Sequence, residues 1–276
     1  MNRAPLGHPL ALMTNAALAP VLFISHGAPL FALVPGTSGP ALTAYGQALQ
    51  TEHDLKGIVI LSPHWMTQQL TVMRNPQPET YHDFGGFPTP LYALQYPAPG
   101  DTALSDRVQA LLTTAGLNPV LDPDRPLDHG VWVPLMHLLP KAELPVVQVS
   151  LPSDSGPEQV FALGQALQPL REQGILLIGS GSMTHNLSEF FSGERKPDPY
   201  VDAFSRWVEA TLVSGDTAAL IDYARQAPSA KRAHPTDDHF LPLFFAVGAA
   251  GAHATPQYLS REVMYSMLAM DSIVFS

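Results

Sequence analysis

VLFISHGAPL, residues 21–30, reads as a short apolar strand over residues 21–24 that runs out at His26, with Gly27 and Pro29 stopping it. A histidine at the carboxyl end of a buried strand stands where open α/β sheets keep their ligand sites. The same order of residues returns further along: GIVILSP leads into His64, and ILLIGSGSMT leads into His185. Working outward, strand-like runs fall at 21–25, 57–62, 69–73, 145–150 and 175–180, and helix-like stretches at 39–51, 101–115, 157–173, 199–214, 217–224 and 237–252. Pro157 suits a first helical turn. This alternation predicts an α/β layered domain rather than an all-helical or all-β one. The C-terminal EVMYSMLAMDSIVFS carries strand formers suited to pairing at a sheet edge.

The 276 residues contain no linker rich enough to divide them, so one domain is expected over 21–276 behind an N-terminal extension, 1–20. That extension imitates a signal peptide in Arg3 and its small-residue end, but His8, Pro9, Thr14 and Asn15 interrupt its apolar stretch, and a cytoplasmic setting is expected. The longest uncharged apolar run, residues 240–252, falls short of the ~20 residues a membrane span needs. Charged residues are 14% of the chain against a usual ~25%, while 28 prolines point to many loops and short connections. A net charge of −10, with no basic cluster longer than Lys231–Arg232, argues against nucleic acid as a partner. The absence of cysteine excludes disulfides, thiolate catalysis and iron–sulfur clusters, so any metal must be held by imidazole or oxygen.

The 11 histidines differ in context. His8, His53 and His253 sit in polar or terminal surroundings and read as solvated. His137, in VPLMHLLP, reads as a core or partly exposed residue. His26, His64 and His185 each follow an apolar run and would converge on one edge of a parallel sheet. His129 lies between turn signals in PLDHGVWVPL, and His234 and His239 bracket HPTDDH before an apolar helix. Convergent imidazoles without cysteine suit Zn²⁺ or Fe²⁺. No H-E-x-x-H is present, and GSGSM is not a G-x-S-x-G nucleophile elbow, although Ser180 or Ser182 beside His185 leaves a hydrolase pair open.

Taken in order, SHGAPL, SPHW, LDHGVWVPL, IGSGSMTHNL and HPTDDHFLPLFFAVGAAG resemble the class III extradiol ring-cleavage dioxygenases, most closely the DOPA-type branch (4,5-DOPA dioxygenase extradiol). The resemblance runs from residue 21 nearly to the C-terminus. It implies that 21–276 is a single catalytic domain, a central mixed β-sheet flanked by helices with the metal site at strand carboxyl ends. It implies one non-haem Fe(II) per chain, with Zn(II) also found in members. O₂ and a catechol bearing a side chain, such as L-DOPA, would be the substrates. A monomer or small homo-oligomer is expected.

By the same resemblance His26 and His64 are metal ligands, and the third ligand comes from HPTDDH. Thr236 suits an N-cap there, and Asp237 and Asp238 suit a first turn that complements the helix dipole. His239 would project from a fixed helical turn, whereas His234 precedes a proline in extended chain. His239 is therefore the favoured ligand, with His234 as the alternative. The resemblance gives His185 an acid–base role and His129 the steering or deprotonation of substrate; whether His185 also touches the metal stays open. Arg125, Lys231 and Arg232 lie near these motifs and are candidates to meet a substrate carboxylate. Tyr81, His82, Asp83 and Phe84 are read as a pocket wall hinged at Gly85–Gly86. Two other readings stand beside the dioxygenase: a Zn-dependent hydrolase on the same histidines, distinguished by O₂ dependence, and a non-catalytic Memo-like metal-binding module, against which the presence of both His129 and His185 counts.

Overall fold

The computed structural model describes residues 18–190 and 198–276. Residues 1–17 of the expected extension, with His8, lie outside the described residues. The strands are β1 (Val21–Ser25), β2 (Gly57–Thr67), β3 (Thr71–Met73), β4 (Val120–Asp122), β5 (Val146–Pro152), β6 (Ile175–Gly181), β7 (Pro256–Ser260), β8 (Val263–Met264), β9 (Leu268–Ala269) and β10 (Ser272–Phe275). The longer helices are α1 (Ser38–Glu52), α2 (Thr102–Thr114), α3 (His129–Leu138) and α4 (Pro157–Leu167). After β6 come α5 (Leu187–Phe190), α6 (Pro199–Ser214), three short pieces α7 (Thr217–Ile221), α8 (Tyr223–Gln226) and α9 (Ala230–Ala233), and finally α10 (Leu241–Ala250).

Eight strands form one sheet in the order β4-β3-β5-β2-β6-β1-β10-β7, and β8 and β9 pair separately. β1/β6, β2/β6, β2/β5 and β3/β4 run parallel, whereas β3/β5, β1/β10 and β10/β7 run antiparallel. The sheet is therefore mixed, and the molecule is a single α/β domain. β1 and β6 are buried along their whole length, as strands covered on both faces must be. Alternation divides the side chains of β1, β2 and β6: Val21, Phe23, Val59 and Leu177 face a core shared with α2, α4, α6 and α10, while Leu22, Ile24, Ile58 and Ile178 face α1 and α3.

Several expected boundaries move, each for a physical reason. The helix read at 157–173 ends as α-helix at Leu167 and continues as a 3₁₀ turn, Gln168–Gln173, because Pro169 cannot donate to the ladder. The helix read at 237–252 begins only at Leu241, with Phe240 rather than Thr236 as its N-cap, and HPTDDH is a turn. Pro242 then occupies the first turn, the one place its missing N–H is harmless. The C-terminal segment does reach the sheet, but β10 lies between β1 and β7, and β7 forms the edge. Helix α3, which contains Pro134, went unpredicted, as did β4 and β7. His253 is exposed as expected, while His53 is half-buried. Among the described residues no helix is long and apolar enough to cross a membrane.

Candidate active site

β1 delivers His26 to the carboxyl end of the sheet, where its N–H donates to the Gly181 carbonyl at 3.0 Å. The side chain is 1% exposed, with Nδ1 3.0 Å from Ser180 Oγ. The Ser180 hydroxyl donates its one hydrogen to the Gly130 carbonyl, so it must accept from His26 Nδ1–H. That fixes the tautomer and leaves a lone pair on Nε2, facing inward.

His64 comes from an irregularity in β2. The ladder with β5 holds through Leu61↔Val149 and resumes at Met66↔Leu151, so residues 62–65 leave it together. Such a bulge re-aims a side chain, and His64 Nε2 ends 3.1 Å from His26 Nε2. His239 comes from the turn ahead of α10. Gly179 and Gly181 let that turn settle on β6: a Cβ on Gly181 would stand 2.3 Å from the His239 carbonyl, and one on Gly179 would stand 2.0 Å from that of Pro242. Ser182 N–H donates to the same His239 carbonyl at 2.7 Å. His239 Nδ1–H donates to Asp238, again freeing Nε2. The Asp238 carboxylate thus serves His239 and not a helix terminus, as the sequence reading had it.

One ligand atom from each of His26, His64 and His239 lies within 4.8 Å of the others. Imidazole nitrogens sharing a metal at bond lengths of about 2.0–2.1 Å stand roughly 3 Å apart, and the His26–His64 pair already meets that spacing. Burial, with mutual repulsion, holds His26 well below the ordinary imidazole range and brings His64 down to about 4. Burial likewise lowers His239, against the pull of Asp238. All three are therefore neutral at pH 7, the form that ligates metals. The donor set fits one divalent ion.

Around this cluster stand two more imidazoles. His129 opens α3, and its Nδ1 lies 2.9 Å from both oxygens of Asp83, whose Oδ1 also accepts the His129 backbone N–H at 2.9 Å. Burial works against the Asp83 charge, but these bonds hold its carboxyl below the usual range. His64, Asp83 and His129 also come close enough to form a second candidate ligand group. His185 stacks on His239 with ring centroids 3.6 Å apart and planes 7° from parallel. Burial lowers its pKa, with Asp238 opposing, and it belongs to neither candidate ligand group among the described residues. The five rings line a cavity of about 240 Å³ whose other walls, Ser182 apart, are apolar, among them Phe84, Phe87, Met267 and Leu268.

Other candidates are used elsewhere. His234, 4% exposed, donates from Nε2 to the Met183 carbonyl and packs on Phe240 and Phe204, outside the cavity. Ser182 Oγ donates to the Thr184 carbonyl and Ser180 is committed to Gly130 and His26, so neither serine forms a hydrolase pair with His185. Arg125 binds Asp128, Arg232 binds Glu189 and Asp198, and Lys231 donates to the Pro235 carbonyl; none of the three lines the cavity. Of the expected wall, Phe84 faces the cavity, Asp83 holds His129, and His82 donates to the Leu94 carbonyl. Asp83 and Ser180 were missed as supporting residues, because nothing local in HDFGG or IGSGS announces a partner 46 or 154 residues away.

Fold and site define the class: an α/β enzyme with a cluster of neutral imidazoles at its strand ends. The model of the catalytic LigB subunit of aromatic ring-opening dioxygenase matches residues 20–275, and the chain belongs to this family, whose members depend on a metal. It is 39% identical over 256 residues to 4,5-DOPA dioxygenase extradiol of Beta vulgaris, covering 92% of this chain and 95% of the relative. The protein of the same name from Escherichia coli (strain K12) is 34% identical over 243 residues, with 86% and 88% covered. The crystal structure of an uncharacterized protein from Escherichia coli K12 superposes with a TM-score of 0.77 at 28% identity, covering 94% of this chain and 100% of that one.

Proposed function

We propose that this protein is an extradiol dioxygenase that opens the ring of a catechol bearing a side chain, such as L-DOPA by 4,5-cleavage, to a semialdehyde. The observation that carries the reading is the convergence of three neutral imidazole nitrogens beside a His129–Asp83 pair inside an apolar cavity. His26, His64 and His239 would hold one Fe(II), with Zn(II) as a second form of the purified protein. When bound, the metal acidifies the catechol hydroxyls and brings O₂ beside the ring.

The remaining chemistry belongs to the chain. Asp83 fixes the Nδ1–H tautomer of His129, leaving Nε2 to take a phenolic proton, and its charge stabilises the imidazolium that results. His185, neutral at the outset through burial and aligned by its stack on His239, would take up the second catechol proton and return it to oxygen as the ring opens. Phe84, Phe87 and the Met267–Leu268 wall bind the aromatic ring and exclude water. Residues 21–276 form the catalytic unit behind the 1–20 extension, working in the cytoplasm as a monomer or small homo-oligomer.

The test is a substrate panel with protein loaded anaerobically with Fe²⁺. Catechols with both hydroxyls free should give a yellow semialdehyde-type product, while tyrosine and a mono-O-methylated catechol should be inert, since one oxygen cannot close a chelate. Turnover of the methylated compound would refute the chelate. Silence across every catechol at full iron occupancy would favour a non-catalytic module.

A further inference from the structure

The bulge that aims His64 inward has lost its ladder partners, and a different set of bonds holds it. Asp128, 0% exposed, stands beneath it. Its carboxylate accepts from Ser62 Oγ at 2.8 Å, from Arg125 Nη2 at 2.6 Å and from Gln148 Nε2. Ser62 Oγ in turn accepts the His64 N–H at 3.2 Å, and the same Arg125 nitrogen donates to the His64 carbonyl at 3.3 Å. The guanidinium lies over the Trp65 ring, 4.8 Å from its centroid, so every residue from 62 to 65 except Pro63 is gripped by this group. Gly130 lets α3 sit directly on the bulge: a Cβ there would stand 2.3 Å from Ser62 Oγ and 2.9 Å from His64 Cδ2.

The orientation of Asp128 is informative. It occupies the N-cap of α3, where an aspartate ordinarily accepts bonds from the helix's own first N–H groups, yet it makes no such bond. Asp83 meets the His129 N–H instead. The Asp128 carboxylate is turned away from its own helix and spent on β2, β5 and Arg125, which the sequence reading had offered to a substrate carboxylate.

We infer that Asp128, with Arg125, is a positioning residue that locks the 62–65 bulge so that His64 Nε2 stays at the point shared with His26 and His239. The inference rests on the metal-centre reading above. It is tested by titrating the metal-free, full-length protein with Co²⁺ and recording affinity and the d–d absorption bands, in the unaltered chain and in Asp128→Asn, Ser62→Ala and Ser105→Ala. Ser105 is the control: a buried serine of α2 that neither lines the cavity nor bonds to Asp128, Ser62 or Arg125, and whose hydroxyl donates to the Met73 carbonyl at 2.6 Å. Asp128→Asn and Ser62→Ala should each weaken Co²⁺ binding by about 10–100-fold, the usual effect of removing a group that orients a ligand, and should alter the bands. Ser105→Ala should lower thermal stability and leave affinity and spectrum unchanged. Ser62→Ala removes a single oxygen, so it decides the matter even where Asp128→Asn does not fold. Unchanged affinity and bands in Ser62→Ala, or equal weakening in Ser105→Ala, would overturn the inference. No Co²⁺ binding by the unaltered protein would overturn the metal centre and the inference together.

Discussion

At the level of single residues, the histidines differ in what their ring nitrogens do. His26→Ala, His64→Ala and His239→Ala should each lose the metal while circular dichroism reports an intact fold. His234→Ala should keep it, because that ring is bonded to Met183 and packed among phenylalanines; metal analysis showing the reverse pattern for His234 and His239 would exchange their roles. His185→Gln should bind metal and catechol normally yet turn over ~10²–10⁴ more slowly, the usual worth of a positioned acid–base group. Loss of metal in that variant would make His185 a ligand. The clustered imidazoles were legible because His26, His64 and His185 follow apolar runs, His129 lies between turn signals and His239 ends the HPTDDH turn. Their partners were not. Asp83, Ser180 and Asp238 orient His129, His26 and His239, and an orienting bond leaves no periodicity or motif in the chain.

At the scale of elements, close backbone contact decides where His239 stands. The α10 turn rests on β6 only because Gly179 and Gly181 carry no side chain. Gly181→Ala should lower unfolding free energy in urea by about 1–3 kcal/mol, the usual cost of overpacking, and weaken metal binding as the His239 turn is pushed off the sheet. Unaltered stability would show that the turn yields freely. Strands and long helices were readable from hydrophobic alternation, which local burial imposes. The late start of α10 was not, since the competition between helix capping by Thr236 and the bond from Ser182 N–H to the His239 carbonyl is settled by β6, more than fifty residues earlier. The β2 bulge escaped reading for the same reason: Pro63 hints at an interruption, but the bonds that hold it come from Asp128 and Arg125.

At the scale of the whole molecule, pH should act on stability from two sides. The buried neutral imidazoles His26, His64, His234 and His239 have depressed pKa values, so the unfolded chain binds more protons below pH ~6.5, and the metal-free protein should lose stability as pH falls through that range. Asp271, at 3% exposure ahead of β10, is the opposite case. Burial, opposed by Arg261, pushes its carboxyl up to about 7. The folded state then binds the extra proton, and this residue's contribution is lost as pH rises from about 4 to about 7. Asp271→Asn should therefore gain on the unaltered protein across that window and hold a constant advantage above it; a pH-independent difference in urea midpoints would refute the assignment. The α/β class was legible in the alternation of elements, whereas the strand order was not, because the antiparallel entry of β10 between β1 and β7 depends on partners far apart in sequence. An imidazole-held centre that opens a catechol ring with O₂ must consume its two reactants in a fixed ratio. Oxygen uptake measured against catechol consumed, in protein loaded with Fe²⁺, is the decisive measurement: one O₂ should disappear per ring opened and none in His239→Ala, whereas ring-opened product formed without oxygen would rule out a dioxygenase.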